Sequence, residues 1–230
     1  MREIAMKSKS RSGDLPVPHA PPLPYPSSLA ILRERTQNMP HPTDTTFDLS
    51  GKLLIAMPGM EDSRFAKSVV FLCSHSAEGT MGLIINKPTS DVRLGQLLDQ
   101  LEIAHIGQAG QRQVYFGGPV EPGRGFVLHS TDFASEFDGL NPSAGFGLTA
   151  TLDVLQALAQ GHGPAQAIVS LGYAGWGPGQ LEAEIADNGW LSCDASPALV
   201  FDTPDGAKWE AALNSMGVGA LALSAAAGRA

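Results

Sequence analysis

The sequence predicts an α+β domain (α/β in the broad sense) built on a largely antiparallel or mixed sheet, and three observations carry that expectation. Short apolar runs bounded by Gly, Pro or Asn recur along the chain, several of them in adjacent pairs. Segments with apolar residues at helical spacing fall between them without the strict strand-helix alternation of a doubly wound parallel sheet. The chain has 230 residues, 43% of them hydrophobic, which suffices for one sizeable core and little beyond it.

The first 46 residues stand apart from the rest. They hold eight of the 17 prolines and no hydrophobic periodicity, the composition of a disordered Pro-rich tail. Residues 47–230 are then expected to form a single domain.

Leu53 to Met57 is an apolar run stopped by Pro58-Gly59, a strand ending in a turn. SVVFLCSH, residues 68–75, and MGLIIN, residues 81–86, read as a hairpin or neighbouring core strands. Leu94, Leu97, Leu98, Leu101 and Ile103 predict a first helix starting at Ser90 or Asp91. QVYFGG, residues 113–118, and GFVLHS, residues 125–130, are strands, followed by a loop to about residue 146 and the strand-like GLTAT. A second helix is expected through Leu152, Leu155 and Leu158 to Gly161, then a strand over 167–172. Trp190 to Cys193 and Ala198 to Phe201 read as two late strands, and Thr203-Pro204 opens a last helix through Trp209 and Leu213.

LGYAGWGPGQLEAEI, residues 171–185, packs two aromatics, four glycines and a proline ahead of a helical pattern. Gly177 suits an N-cap, Pro178 the first helical position, and the Gln180 amide can reach back to the cap. Leu181 and Ile185 share the buried face, Gln180 and Glu184 lie on another stripe, and Asn188-Gly189 closes the helix. Gly177 and Gly179 offer backbone N–H groups to an anion, but Glu182 and Glu184 oppose one there, so a tight turn is the preferred reading.

Charge narrows the function classes. The tail carries six Lys or Arg against four acids, so of the net −8 the remainder of the chain carries −10. Such a body repels a phosphate backbone, which disfavours direct nucleic-acid binding. No run of about 18 apolar residues exists to span a membrane, and the N-terminus lacks the apolar core of a signal peptide. Cys73 and Cys193 sit in strand-like runs without a CxxC partner, the usage of buried thiols in a reducing cytoplasm.

No complete catalytic set is legible. P-loop, GxGxxG, GxSxG and HExxH patterns are absent, and neither a metal nor a cofactor is expected. His75 and His129 each end an apolar run and are candidate general bases. Asn86-Lys87-Pro88 combines a donor-acceptor amide, a positive charge and a fixed chain exit, a suitable set for binding. Tyr173, Trp176 and Trp190 suit either a core or a groove wall.

GKLLIAMPGMEDSRFAKSVVFLCSH, GTMGLIINKP, YFGGPVEPGRGFVLHS and LGYAGWGPGQLEAEIADNGWL together resemble, in order and spacing over residues 49–217, the YqgE/AlgH family of bacterial proteins. The resemblance implies a bifurcated mixed sheet, partly closed as a barrel and surrounded by helices. It brings no established activity or catalytic residue, and its label of transcriptional regulator finds no helix-turn-helix here. Its motifs mark a candidate binding surface: Pro58, Met60 and Asp62; Asn86 and Lys87; Gly117, Gly118 and Pro119; His129; and Tyr173, Trp176, Gln180 and Glu184. The leading expectation is a cytoplasmic binding or regulatory module whose groove between the NKP, GGPV and GYAGW loops takes a small ligand or a partner segment. The rival is a hydrolase or transferase with His129 or His75 as base and Asn86 or Lys87 stabilising negative charge.

Overall fold

In the computed structural model, which describes residues 48–135, 140–143 and 145–219, ten strands form one forked sheet. The Pro-rich segment 1–46 lies outside the described residues. Strands β1 (Lys52–Ala56), β2 (Val69–Ser76) and β3 (Gly79–Ile84) pair antiparallel in sequence order, and β10 (Trp190–Asp194) borders β1. The second half holds β4 (Pro88–Arg93), β5 (Gln113–Phe116), β6 (Val120–His129), β7 (Leu140–Ser143) and β8 (Phe146–Thr149).

Strand β9 (Ala167–Trp176) belongs to both halves. Its residues 167–171 pair with β6, and 169–171 run parallel to β5, while 174–176 pair with β3. The fork falls at Gly172, whose φ of +70° suits glycine. A Cβ there would sit 2.4 Å from the Gly118 carbonyl oxygen, and one on Gly117 would sit 2.2 Å from that of Gly172. Backbone meets backbone at this point.

The strand path runs openly from β10 to β7, with β4 attached through β5. No hydrogen-bonded pair among the described residues joins its ends, so the partial barrel closure implied by the family resemblance is not found. The mixed α+β architecture is found.

Burial explains why the strands read as continuous apolar runs. Leu53, Ile55, Phe71 and Leu83 enter a central core that also takes Phe126, Leu128 and Ile168 from the second half. Leu54, Val70, Leu72 and Ile84 alternate onto the opposite face. Helices α1 (Leu94–Gln100) and α2 (Leu152–Ala159) cover the second half, packing on Val114, Val127 and Val169. Helix α3 (Gln180–Ala186) places Leu181 on the outer face of the first half, and α4 (Asp205–Ser215) buries Trp209, Ala212 and Leu213 in the central core. Each fully buried Leu, Ile, Val or Phe among these contributes about 1.5–3 kcal/mol relative to exposure.

Three local expectations are corrected. Residues 88–93 are extended, because the Gln96 side chain accepts the Arg93 N–H at 2.8 Å and starts α1 at Leu94. Ala198–Asp202 is a π-helical turn closed by Thr203 N–H to Ala198 C=O, not a strand. Pro197 is already helical there and Ser196 receives the Leu199 N–H, so this short apolar run is buried as a turn. Helix α3 is capped at Gly179 rather than Gly177, although Gln180 does reach back to the Gly177 N–H at 3.0 Å.

Candidate functional site

The motif loops named by the sequence do meet. Phe116 N–H donates to Lys87 C=O, Ile84 N–H to Gly117 C=O and Gly117 N–H to Leu171 C=O, so the NKP, GGPV and GYAGW segments adjoin through their backbones. The polar side chains of the NKP loop are engaged by the backbone of the 64–69 segment. Asn86 accepts the Val69 N–H and donates to Lys67 C=O, and Lys87 Nζ donates to Arg64 C=O at 2.7 Å. Asp62 is bound by the Arg64 guanidinium and backbone, which holds its carboxyl below the usual range, while burial lowers the Lys87 ammonium.

Glu184 joins the aromatic pair to α3. Its carboxylate accepts the indole N–H of Trp176 at 3.0 Å and of Trp190 at 2.8 Å, with Gln180 Nε2 on the other oxygen at 2.8 Å. The indole rings stand edge to face at 5.8 Å, and Met60 and Phe65 pack against the same cluster. Pro58 is exposed in the preceding turn. Tyr173 stands edge-on to Phe126, opposite Val120, which follows Gly117-Gly118-Pro119.

His129 lies apart from these loops, opposite Ala167 at the far end of the β6–β9 ladder. Its ring contacts Ser130 C=O and the Thr149 hydroxyl, and it is 3% exposed. His75 is similarly buried between Thr80 and Glu182. Neither ring opens onto the cavity described next.

That cavity, about 370 Å3, sits where the start of β9 meets the first turn of α4, and its polar wall is Arg112, Tyr115, Gln166, Asp202, Asp205 and Lys208. Thr203-Pro204 fixes the extended entry to α4, and Asp205 places an acid in its first turn, favoured by the helix dipole. One turn on, Lys208 is 2% exposed. Its ammonium donates to Ile85 C=O at 3.0 Å and Val200 C=O at 2.9 Å, with Asp205 Oδ1 at 3.5 Å. Burial lowers its pKa, partly opposed by Asp205.

Tyr115 on β5 donates its hydroxyl to Asp205 Oδ2 at 3.2 Å. Burial, reinforced by the Asp205 charge, pushes this phenol up to about 12. Across the cavity Gln166 Nε2 donates to Asp202 Oδ1 at 2.6 Å. The Gln166 backbone is held by Ser130 on both its N–H and its C=O, and the Ser130 hydroxyl is bound to Asp132. Arg112 contributes one long bond, Nη1 to Ala167 C=O at 3.4 Å.

None of the candidate binding residues lines this cavity, although Tyr115 opens the YFGGPV motif. One signal for it was legible: Lys208, Trp209, Ala212 and Leu213 occupy the same buried face, so the apolar stripe of α4 contains a lysine. Two of that lysine's partners were not legible, because Ile85 and Val200 act through backbone carbonyls. Among the described residues no cluster of three or more His, Cys, Asp or Glu is placed to hold a metal ion.

A forked, open sheet with helices on its outer faces and a charged cavity at one helix start defines a mixed α+β domain. The chain belongs to the AlgH-like family (DUF179), whose model matches residues 53–220. It is 59% identical over 184 residues to a UPF0301 protein of Ruegeria pomeroyi, covering 80% of this chain and all of that one. A UPF0301 protein of Jannaschia sp. is 54% identical over 81% of this chain and 98% of its own. The solution structure of AlgH from Pseudomonas aeruginosa matches with a TM-score of 0.66 at 42% identity, over 82% of this chain and 99% of that one. A Corynebacterium diphtheriae protein, at 21% identity and a TM-score of 0.57 over 80% and 92% of the two chains, shares the fold.

Proposed function

We propose that this AlgH-like protein is a binding module for a small polar ligand held in the cavity at the start of α4. The observation that carries the reading is a polar wall fixed before any ligand arrives. Lys208 and Tyr115 hold Asp205, Ser130 holds Gln166, and Arg112 keeps most of its donors available. Preset polar groups around a concavity are what a small-molecule site requires. The volume is at the small end of such sites, which favours a ligand of modest size over a partner segment.

The motif loops serve this reading as scaffold, since Asn86, Lys87, Trp176 and Glu184 engage the fold itself. The buried rings of His75 and His129 favour binding over a hydrolase or transferase with a histidine base. A net charge of −10 beyond residue 46 disfavours direct DNA readout. A cytoplasmic setting completes the proposal, supported by two free cysteines, of which Cys73 is buried and its thiol raised by desolvation.

A thermal-shift screen of small polar compounds tests the proposal. At 100 times its Kd a ligand adds about 2.7 kcal/mol, or roughly 5–10 °C in Tm for a domain of this size. The shift is expected in the unaltered protein and lost in Arg112→Ala and Gln166→Ala. A screen without hits, or a shift undiminished in both variants, overturns the proposal.

A further inference from the structure

The charges around the cavity define the kind of ligand more closely, on the reading that the cavity is the binding site. Four charged groups line it, two of each sign: Arg112 and Lys208, Asp202 and Asp205. Two of them are already matched. An ammonium has three donors, and those of Lys208 go to Ile85 C=O, Val200 C=O and Asp205 Oδ1. The second oxygen of Asp205 takes the Tyr115 hydroxyl.

The remaining two are open. Arg112 has five N–H donors and uses one on a long bond to the Ala167 carbonyl. Asp202 is exposed and meets a neutral amide, that of Gln166, through one oxygen. One open cation and one open anion therefore line the same space of about 370 Å3. A simple anion would satisfy Arg112 and be repelled by Asp202, and a simple cation would meet the reverse. A ligand with both charges satisfies both walls.

We infer that the cavity takes a zwitterion of free amino acid size, its carboxylate against Arg112 and its ammonium against Asp202. The carboxylate has the planar geometry that a guanidinium binds through two parallel N–H donors. Gln166, whose backbone is fixed by Ser130, keeps Asp202 in place through its side-chain amide. No covalent step is involved.

Calorimetric titration of the full chain with the twenty L-amino acids, each beside its N-acetyl and its carboxamide derivative, tests the inference. At least one free amino acid is expected to bind, with both blocked forms weakened tenfold or more. Arg112→Gln is expected to weaken the free amino acid and leave the carboxamide unaffected, and Asp202→Asn to spare the N-acetyl form in the same way. These comparisons among ligands on the unaltered protein stand even if a variant folds poorly. Blocked forms that bind as tightly as free ones overturn the inference, as does a panel without binders. If small anions or cations alone bind and Arg112→Gln or Asp202→Asn abolishes it, the zwitterion is wrong and the cavity reading survives. If nothing small binds, both fail.

Discussion

Glu184 shows how one side chain turns a sequence signature into architecture. An indole N–H is a donor only, so the buried Trp176 and Trp190 each need an acceptor, and a single carboxylate oxygen serves both. Glu184→Ala orphans two buried donors at about 1–3 kcal/mol each, so urea denaturation is expected to show a loss of roughly 2–6 kcal/mol. Glu184→Gln retains a carbonyl acceptor and is expected to fall between it and the unaltered protein. Equal stability of all three would show that the network contributes nothing. The sequence marked Trp176, Gln180 and Glu184 together but left open whether they line a groove or a core, because their facing partner, Trp190, joins them only through tertiary packing. Tyr115 gives a second residue-scale test, in pH. Its folded pKa of about 12 lies above the ordinary 10, so its contribution is complete below about pH 10 and lost as pH rises towards 12. Tyr115→Phe is expected to remove that alkaline decline in stability and a step near pH 12 in a spectrophotometric tyrosine titration.

Elements differ in how far their sequence determined them. Strands β1, β2 and β3 were legible as apolar runs because both faces are covered, and α2 and α4 because their buried residues keep helical spacing. The segment 88–93 and the turn 198–202 were not, since side chains outside the periodic pattern, Gln96 and Ser196, decide where the adjoining helical structure starts. Glycines sort the same way. At Gly117 an added methyl meets the Gly172 carbonyl, a strand crossing with no slack, whereas Gly206 lies in the first turn of α4 with nothing within 4 Å. Gly117→Ala is expected to cost more than about 3 kcal/mol in chemical denaturation. Gly206→Ala is expected to gain about 0.5–1 kcal/mol, because the unfolded chain loses freedom and the helix accepts alanine. A tolerated Gly117→Ala would mean that the β9 fork can open.

At the scale of the whole molecule the fork decides cooperativity. The β1–β2–β3–β10 half is joined to the β5–β6–β8 half by β9, by the Ile84 N–H to Gly117 C=O bond, and by the central core, where Leu53 and Phe71 pack with Leu128, Phe146 and Ile168. Neither half encloses that cluster alone, so exposing one strips apolar cover from the other. The domain is therefore expected to unfold in one transition. The three tryptophans provide the test by their placement. Trp176 and Trp190 report on the outer face of the first half and Trp209 on the central core, while α1 and α2 in the second half contribute helical circular dichroism. Fluorescence and far-ultraviolet dichroism should give the same urea midpoint, and Gly172→Ala, placed on the shared strand, should lower both together. Separate midpoints would show that the two halves hold their structure independently. The cavity at the start of α4 would then depend on both, because its lysine is tied to Ile85 at the end of one half while Tyr115 and Gln166 come from the other.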